Sequence, residues 1–423
     1  MKSYLSKPVG LAVVILLAGF CISANAQSKT WFQNFNDSNS GLSFNEVNCL
    51  AVDSTGELWI GTEWGLSVFD LEDSTWTTYN DSNSPLTSNK IKSLYCDQHN
   101  RMWIGTLTGG ITIYADTGWA VFTTFNSPLP SDFVRSFHEE SLGMWVGTSG
   151  GLVYIEDKTW LIFQMFSSPI TSNNITSIEV DTGGVKWIGT INGGLVKLEG
   201  TTFTIYNIAS SNINDNTQLS VLLDESQNVW YATPAGGLGA FDQNQTWLTW
   251  GTFNSSIPTN SLTSLMIDSN NHKWTGTTSE GLVKFEGGST FEVYDSTNST
   301  LNDPHITSII TDLDGRLWLG SATHGLYRMT DSLILPQGIK EEALMDVSIL
   351  PNPNNGIFEL QIDKGYSFPL AYTIIDARGS MVQEGKILNR NENFLLNTSP
   401  GLYFIQLTGA KRMVSKLFLI SDN

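Results

Sequence analysis

Asp53-Ser-Thr-Gly56-Glu-Leu-Trp59-Ile-Gly-Thr62-Glu-Trp64-Gly65-Leu66 is the stretch that decides how this 423-residue chain folds. Its central Trp59 returns as Trp103, Trp145, Trp187, Trp230, Trp274 and Trp318, at gaps of 42 to 44 residues. Self-similarity at such a period marks a propeller or a solenoid, built from units that bury their faces only against one another.

The second copy shows what one unit contains. Residues 90–97 (KIKSLYCD) alternate apolar and polar side chains and end in a turn, Gln98-His99-Asn100. Three further runs follow: 101–106 (RMWIGT), 110–115 (GITIYA) and 118–124 (GWAVFTT). Short β-branched or aromatic runs bounded by Gly, Asn, Asp or Ser read as strands. Four antiparallel strands per copy make one propeller blade. The expected fold class is all-β, a seven-bladed β-propeller.

In Trp-Ile-Gly-Thr the Trp and Gly share one sheet face and the Ile takes the other. Blades stack face to face, so each indole is expected to fill the wedge between two blades, burying roughly 150–250 Å². The Gly lets the next blade come close. A pair of outer-strand aromatics follows at Trp76–Tyr79, Trp119–Phe125, Trp160–Phe166, Phe203–Tyr206, Trp247–Trp250 and Phe291–Tyr294. None follows Trp318; the missing pair stands first in the chain, at Trp31–Phe35. The N-terminal strand, 31–36, is therefore expected to complete the last blade and leave no open edge.

The repeat Asp-x-x-Gly-x-x-Trp-Ile-Gly-Thr-x-x-Gly-Gly-Leu resembles the two-component regulator propeller repeat, with near copies from Asp181 (DTGGVKWIGTINGGL) and Asp312 (DLDGRLWLGSATHGL). In that family the repeats form periplasmic sensor domains joined to a membrane helix and a kinase. Neither is expected here, so the resemblance implies the fold and not signalling. The spacing is one residue longer than the sialidase Asp-box, and no arginine trio for a sialic carboxylate accompanies it.

The chain ends carry the address. Residues 1–26 read as a secretory signal: Lys2 and Lys7, an apolar run from Leu11 to Phe20, and the small-residue site Ala24-Asn25-Ala26. That run is shorter than the roughly 20 residues a membrane helix needs, and no transmembrane segment is expected. Residues 27–330 are assigned to the propeller, 331–345 to a linker and 346–423 to a small Ig-like β-sandwich. The last segment resembles the type A C-terminal sorting domain of the type IX secretion system. The matching marks are Pro351-Asn352-Pro353 with Gly356, Asp376 with Gly379, and Gly401 with Tyr403. The resemblance implies a Bacteroidetes-type host, passage across the outer membrane by the type IX machinery and handling by its sortase. A plain carbohydrate-binding sandwich is the other reading of these strands. Cys49 and Cys96 remain after cleavage and are expected as buried thiols of inner strands, with a disulfide left open.

The formal charge of −19 is carried wholly by the propeller, since the tail from Asp346 holds seven acidic and seven basic residues. Such a surface repels nucleic acid. Propellers bind at one mouth of the channel, on the turns between second and third strands. Those turns vary on a fixed scaffold, as binding surfaces do. The candidate ligand residues are Glu63, Trp64, Asn192, Glu280, His305 and His324. His305, His324, Asp303 and Glu63 bear metal-ligand chemistry, but unrelated polar loop residues are far commoner than metal sites, so no metal and no cofactor is assigned. His99, His138 and His272 show no evident partner. No catalytic set stands out. The expectation is a monomeric, secreted or surface-attached module binding a glycan, peptide or protein. The alternatives are an extracellular carbohydrate-active lyase or hydrolase, or a structural surface protein.

Overall fold

The computed structural model describes residues 30–141, 143–330, 347–352, 354–362, 368–376, 381–396, 398, 401–408 and 413–420. The signal segment, the linker, Pro353 and Gly379 lie outside the described residues. The chain divides into two compact units, Met1–Ser332 and Leu333–Asn423.

The first unit holds seven four-stranded antiparallel sheets; six run in chain order from an inner to an outer strand, and the seventh borrows its outer strand from the start of the chain. Blade one is Val47–Val52, Leu58–Thr62, Gly65–Phe69 and Trp76–Tyr79. Blade seven is Ile306–Thr311, Leu317–Ser321 and Leu326–Thr330, and its fourth strand is Trp31–Phe35 from the other end of the chain. Trp31 pairs with Thr330 and Phe35 with Leu326, so the ring is joined by an antiparallel ladder.

All seven repeat tryptophans are buried, and each sits in a cluster with residues of the adjoining blade. The Gly two residues after the Trp is required by close approach. A Cβ on Gly61 would stand 2.6 Å from Ile91 of blade two, and one on Gly320 2.6 Å from Val47 of blade one. The repeated Asp has a task beyond the turn. Asp53, Asp97, Asp224, Asp268 and Asp312 each accept the N–H of the indole six residues on, at 2.8–2.9 Å. In blade three Glu140 does the same for Trp145 at 2.7 Å. A buried indole N–H thus finds its acceptor, and the carboxylate also caps the turn through backbone N–H groups such as those of Thr55 and Glu57. Asp312 behaves likewise, taking N–H bonds from Asp314 and Arg316.

Two outer strands end earlier than their aromatic spacing predicts. They stop at Phe122 and Phe163. Phe125 and Phe166, read as strand residues, are exposed in the connections that follow.

Cys49 and Cys96 lie in inner strands as free thiols, but both are half-buried rather than buried as the sequence suggests. Burial pushes the Cys49 thiol up to about 12, against the favourable charge of Lys92. Only roughly one part in ten thousand is thiolate at pH 8, and the thiolate is the reactive form. A thiol reagent at pH 8 is therefore expected to leave Cys49 unmodified in the folded chain and to label it after denaturation. Fast labelling of Cys49 in the native protein would show that its thiol is not held protonated.

The second unit is a sandwich of a three-stranded and a four-stranded antiparallel sheet. Ile349, Phe358, Leu360 and Phe394 from the first pack against Ile374, Tyr403, Ile405 and Leu407 from the second.

Candidate functional site

In an antiparallel blade the turn between strands two and three and the connection to the next blade lie at the same end. Hydrogen bonds join these segments around the ring: Gly65 N–H to the Asn89 carbonyl at 2.8 Å, Gly194 to Asn216 at 2.8 Å, and Gly325 to Asn45 at 2.9 Å. Each turn is also stapled internally. The Thr62 hydroxyl donates to the Gly65 carbonyl at 2.8 Å, and Thr148, Thr190, Thr233 and Thr277 repeat the bond. The result is a rigid rim in which only the tips differ.

Glu63 is held, not free. It pairs with Lys92, with Lys90 at 3.4 Å, and accepts the Asn48 amide at 3.2 Å. Its burial works to raise the carboxyl, but these cations and the amide hold it below the usual range. Trp64 beside it is 63 % exposed, with no ring partner among the described residues. Asn192 adopts a left-handed backbone, φ 61°, and its amide N–H bonds Thr217 of the next connection at 3.1 Å, so it serves the turn. Glu280 lines a shallow open cleft with Ser279, Asp295, Thr297, Leu301 and Pro304.

Asp303 organises the blade-seven sector. Its carboxylate accepts N–H bonds from His305, Thr323 and His324 and the Thr323 hydroxyl at 2.8 Å, with the His324 ring at 3.2 Å. Burial opposes ionisation, yet these donors pull the carboxyl down to about 2. His305 reaches Asp303 by its backbone, not its ring. The metal-ligand grouping weighed from sequence is therefore not assembled: Glu63 belongs to lysines and Asp303 to turn donors.

The histidines read as partnerless have partners. His138 meets Glu179 of the next blade at 2.7 Å, and His272 meets Asp268 at 3.0 Å. His99 gathers with Asp97 and Glu139. Asp97 already serves Arg101 and Trp103, and Glu139 takes the Gln98 N–H, so this trio is a clamp between blades.

A second ring lies just beneath the turns and was not anticipated. In six blades the inner strand carries a β-bulge after its first residue. The extra residues are Asn48, Lys92, Arg135, Thr176, Thr263 and Thr307. Most reach to the next blade. Asn48 donates to the Ile91 carbonyl at 3.0 Å, Thr307 to Val47 at 2.6 Å, and Thr176 and Thr263 make the equivalent bonds. A break in the inner-strand alternation was the available sequence signal.

The tips between blades add exposed apolar groups that sequence reasoning also missed as surface: Phe125, Phe166 and Phe253, of which the first and last are 100 % exposed. They occupy positions where the other connections carry the small residues Ser38, Ser82, Ala209 and Thr297.

In the second unit, Gly356 has a φ of 93°, and a Cβ there would stand 2.4 Å from the Leu396 carbonyl. Only glycine suits that place. Pro351 and Asn352 are exposed, Asp376 ends one strand, and Gly401 begins the strand in which Tyr403 is buried.

Comparison with known proteins agrees with this architecture. The two component regulator propeller model matches residues 41–64 and 85–108, and the secretion system C-terminal sorting domain model matches residues 348–421. The extracellular domain of BT3049 from B. thetaiotaomicron superposes with a TM-score of 0.62 at 20 % identity, over 91 % of this chain and 57 % of that one. PorZ, a surface component of the type-IX secretion system of Porphyromonas gingivalis, gives 0.53 at 16 %, over 92 % and 60 %. Streptogramin B lyase gives 0.60 at 12 %, over 73 % and 99 %. The chain thus spans under two thirds of the first two proteins, and at these identities the likeness is one of fold. No curated protein matches the chain. The class is plain: a propeller of two component regulator repeats carrying a secretion system sorting domain. That domain directs export, and the protein is secreted or attached to the cell surface. No helix among the described residues is long and apolar enough to cross a membrane.

Proposed function

We propose that the propeller is a binding module that recognises an extracellular glycan, peptide or protein at the channel mouth, delivered there by its sorting domain. Trp64 carries this reading. A solvent-exposed indole on a stapled turn, next in the chain to Glu63 of the fixed Glu63–Lys92–Asn48 group, presents a flat apolar face with polar groups on the same turn. That combination suits a sugar ring or a peptide side chain. The varied tips around it, and the exposed Phe125, Phe166 and Phe253, extend the surface.

Asp303 and Glu63 do not suit the part of a general acid or base near neutral pH. Asp303 titrates at about 2 and Glu63 below its usual range, whereas a general acid or base works best near the ambient pH. A glycan and peptide array probed with the exported chain tests the binding reading. Trp64→Ala is expected to weaken any hit at the mouth at least tenfold while leaving the melting temperature unchanged. Binding that ignores this change would move the site off Trp64.

A further inference from the structure

Among the bulge residues of the inner ring, Arg135 alone has nothing to hold. Asn48, Thr176, Thr263 and Thr307 are bonded to neighbouring carbonyls, and Lys92 is paired with Glu63. Arg135 makes no hydrogen bond and no ion pair among the described residues, although the propeller carries a large excess of carboxylates. Its guanidinium carbon lies 3.9 Å from the centre of the Phe133 ring, which fixes the plane of the group. Its Nε is buried without a partner. Burial lowers its affinity for a proton but leaves it cationic.

These facts leave one edge of the guanidinium for use. One flat face is covered and Nε is closed off, so the two terminal nitrogens present a fork at the channel end of blade three. Such a fork matches the two oxygens of a carboxylate. The surrounding negative charge disfavours polyanions, and a ligand with a single carboxylate is repelled far less. We infer that Arg135 is the receptor for a carboxylate of a singly charged ligand, either a free small organic acid or a uronic-acid unit of a glycan.

This inference goes beyond the Trp64 reading and fails separately from it. The two residues sit on different blades, and the probes here are small acids. Glucuronate, lactate, inorganic sulfate and glucose are titrated into the exported chain by calorimetry. Glucuronate and lactate are expected to bind saturably and glucose not at all. Both Arg135→Gln and Arg135→Lys are expected to weaken the acids at least tenfold, since lysine keeps the charge without the fork. Equal binding of the two acids assigns the free acid as source, and tenfold tighter glucuronate assigns the sugar. Sulfate binding as tight as the carboxylates, no saturable binding, or folded variants that bind like the parent would each overturn the assignment. Trp64→Ala leaves these small-acid affinities unchanged. If it alone abolishes array binding, the turn-tip site stands without Arg135.

Discussion

Deleting residues 28–40 is expected to open the propeller, and Phe35→Ala to weaken it nearly as much as one substitution can. The strand Trp31–Phe35 is the outer strand of blade seven, and its loss leaves Leu326–Thr330 as an unpaired edge. It also faces two seams. Phe32 belongs to the cluster with Trp274, Leu282 and Tyr294 of blade six. Phe35 belongs to the cluster with Ile60 and Phe69 of blade one, its ring 5.6 Å from both Phe69 and Trp318. Polar bonds pin the strand further: the Phe32 N–H to Thr300 at 2.6 Å, the Asn34 amide to the His324 carbonyl at 2.7 Å and Arg328 to Gln33 at 2.7 Å. A fully buried Phe cut to Ala costs about 3–5 kcal/mol. At about 2–4 °C per kcal/mol for a sizeable domain, Phe35→Ala is expected to melt roughly 10 °C lower. Phe253→Ala, at a fully exposed tip, serves as the control and is expected to melt with the parent. If the deletion and Phe35→Ala both melt with the parent, the ring does not depend on this closure.

What could be read from the residues divides along physical lines. The Trp period and the displaced first strand were legible because face-to-face blades impose one large buried side chain per copy. Trp59 through Trp318 obey this without exception. The indole's acceptor was legible in principle, as an Asp at a constant offset, but spacing alone does not say that Asp53 bonds Trp59 rather than only its turn. Strand ends were not legible. Alternation continues through Phe125 and Phe166 although pairing stops at Phe122 and Phe163. The site was the least legible part. Glu63 looked like a free acidic tip because Lys90 and Lys92 come from the next repeat. Arg135 carries no signal in the sequence; only the bulge sets it where no carboxylate pairs with it among the described residues. Contacts across repeats need the ring's geometry, which a single sequence carries only indirectly.

Removing residues 346–423 is expected to abolish surface display without unfolding the propeller. The tail has its own core, in which the buried Phe358, Leu360, Ile374 and Ile405 join strands of both its sheets. The propeller clusters are made from residues of the first unit alone. The cut leaves each hydrophobic core with all of its own members, so the truncated chain is expected to keep the parent's propeller melting transition. Its location should change completely. The sorting domain indicates export, so the chain that lacks it is expected to stay in the periplasm. Fractionation should find the truncated chain in the periplasm and the parent outside or on the surface. Gly356→Val makes the same point with one residue. The left-handed backbone and the Leu396 carbonyl 2.4 Å from a Cβ leave a branched side chain no room. This variant is expected to damage the tail and lower display severalfold while leaving the propeller folded. A truncated chain displayed at parental levels would show that another part of the molecule carries the export signal.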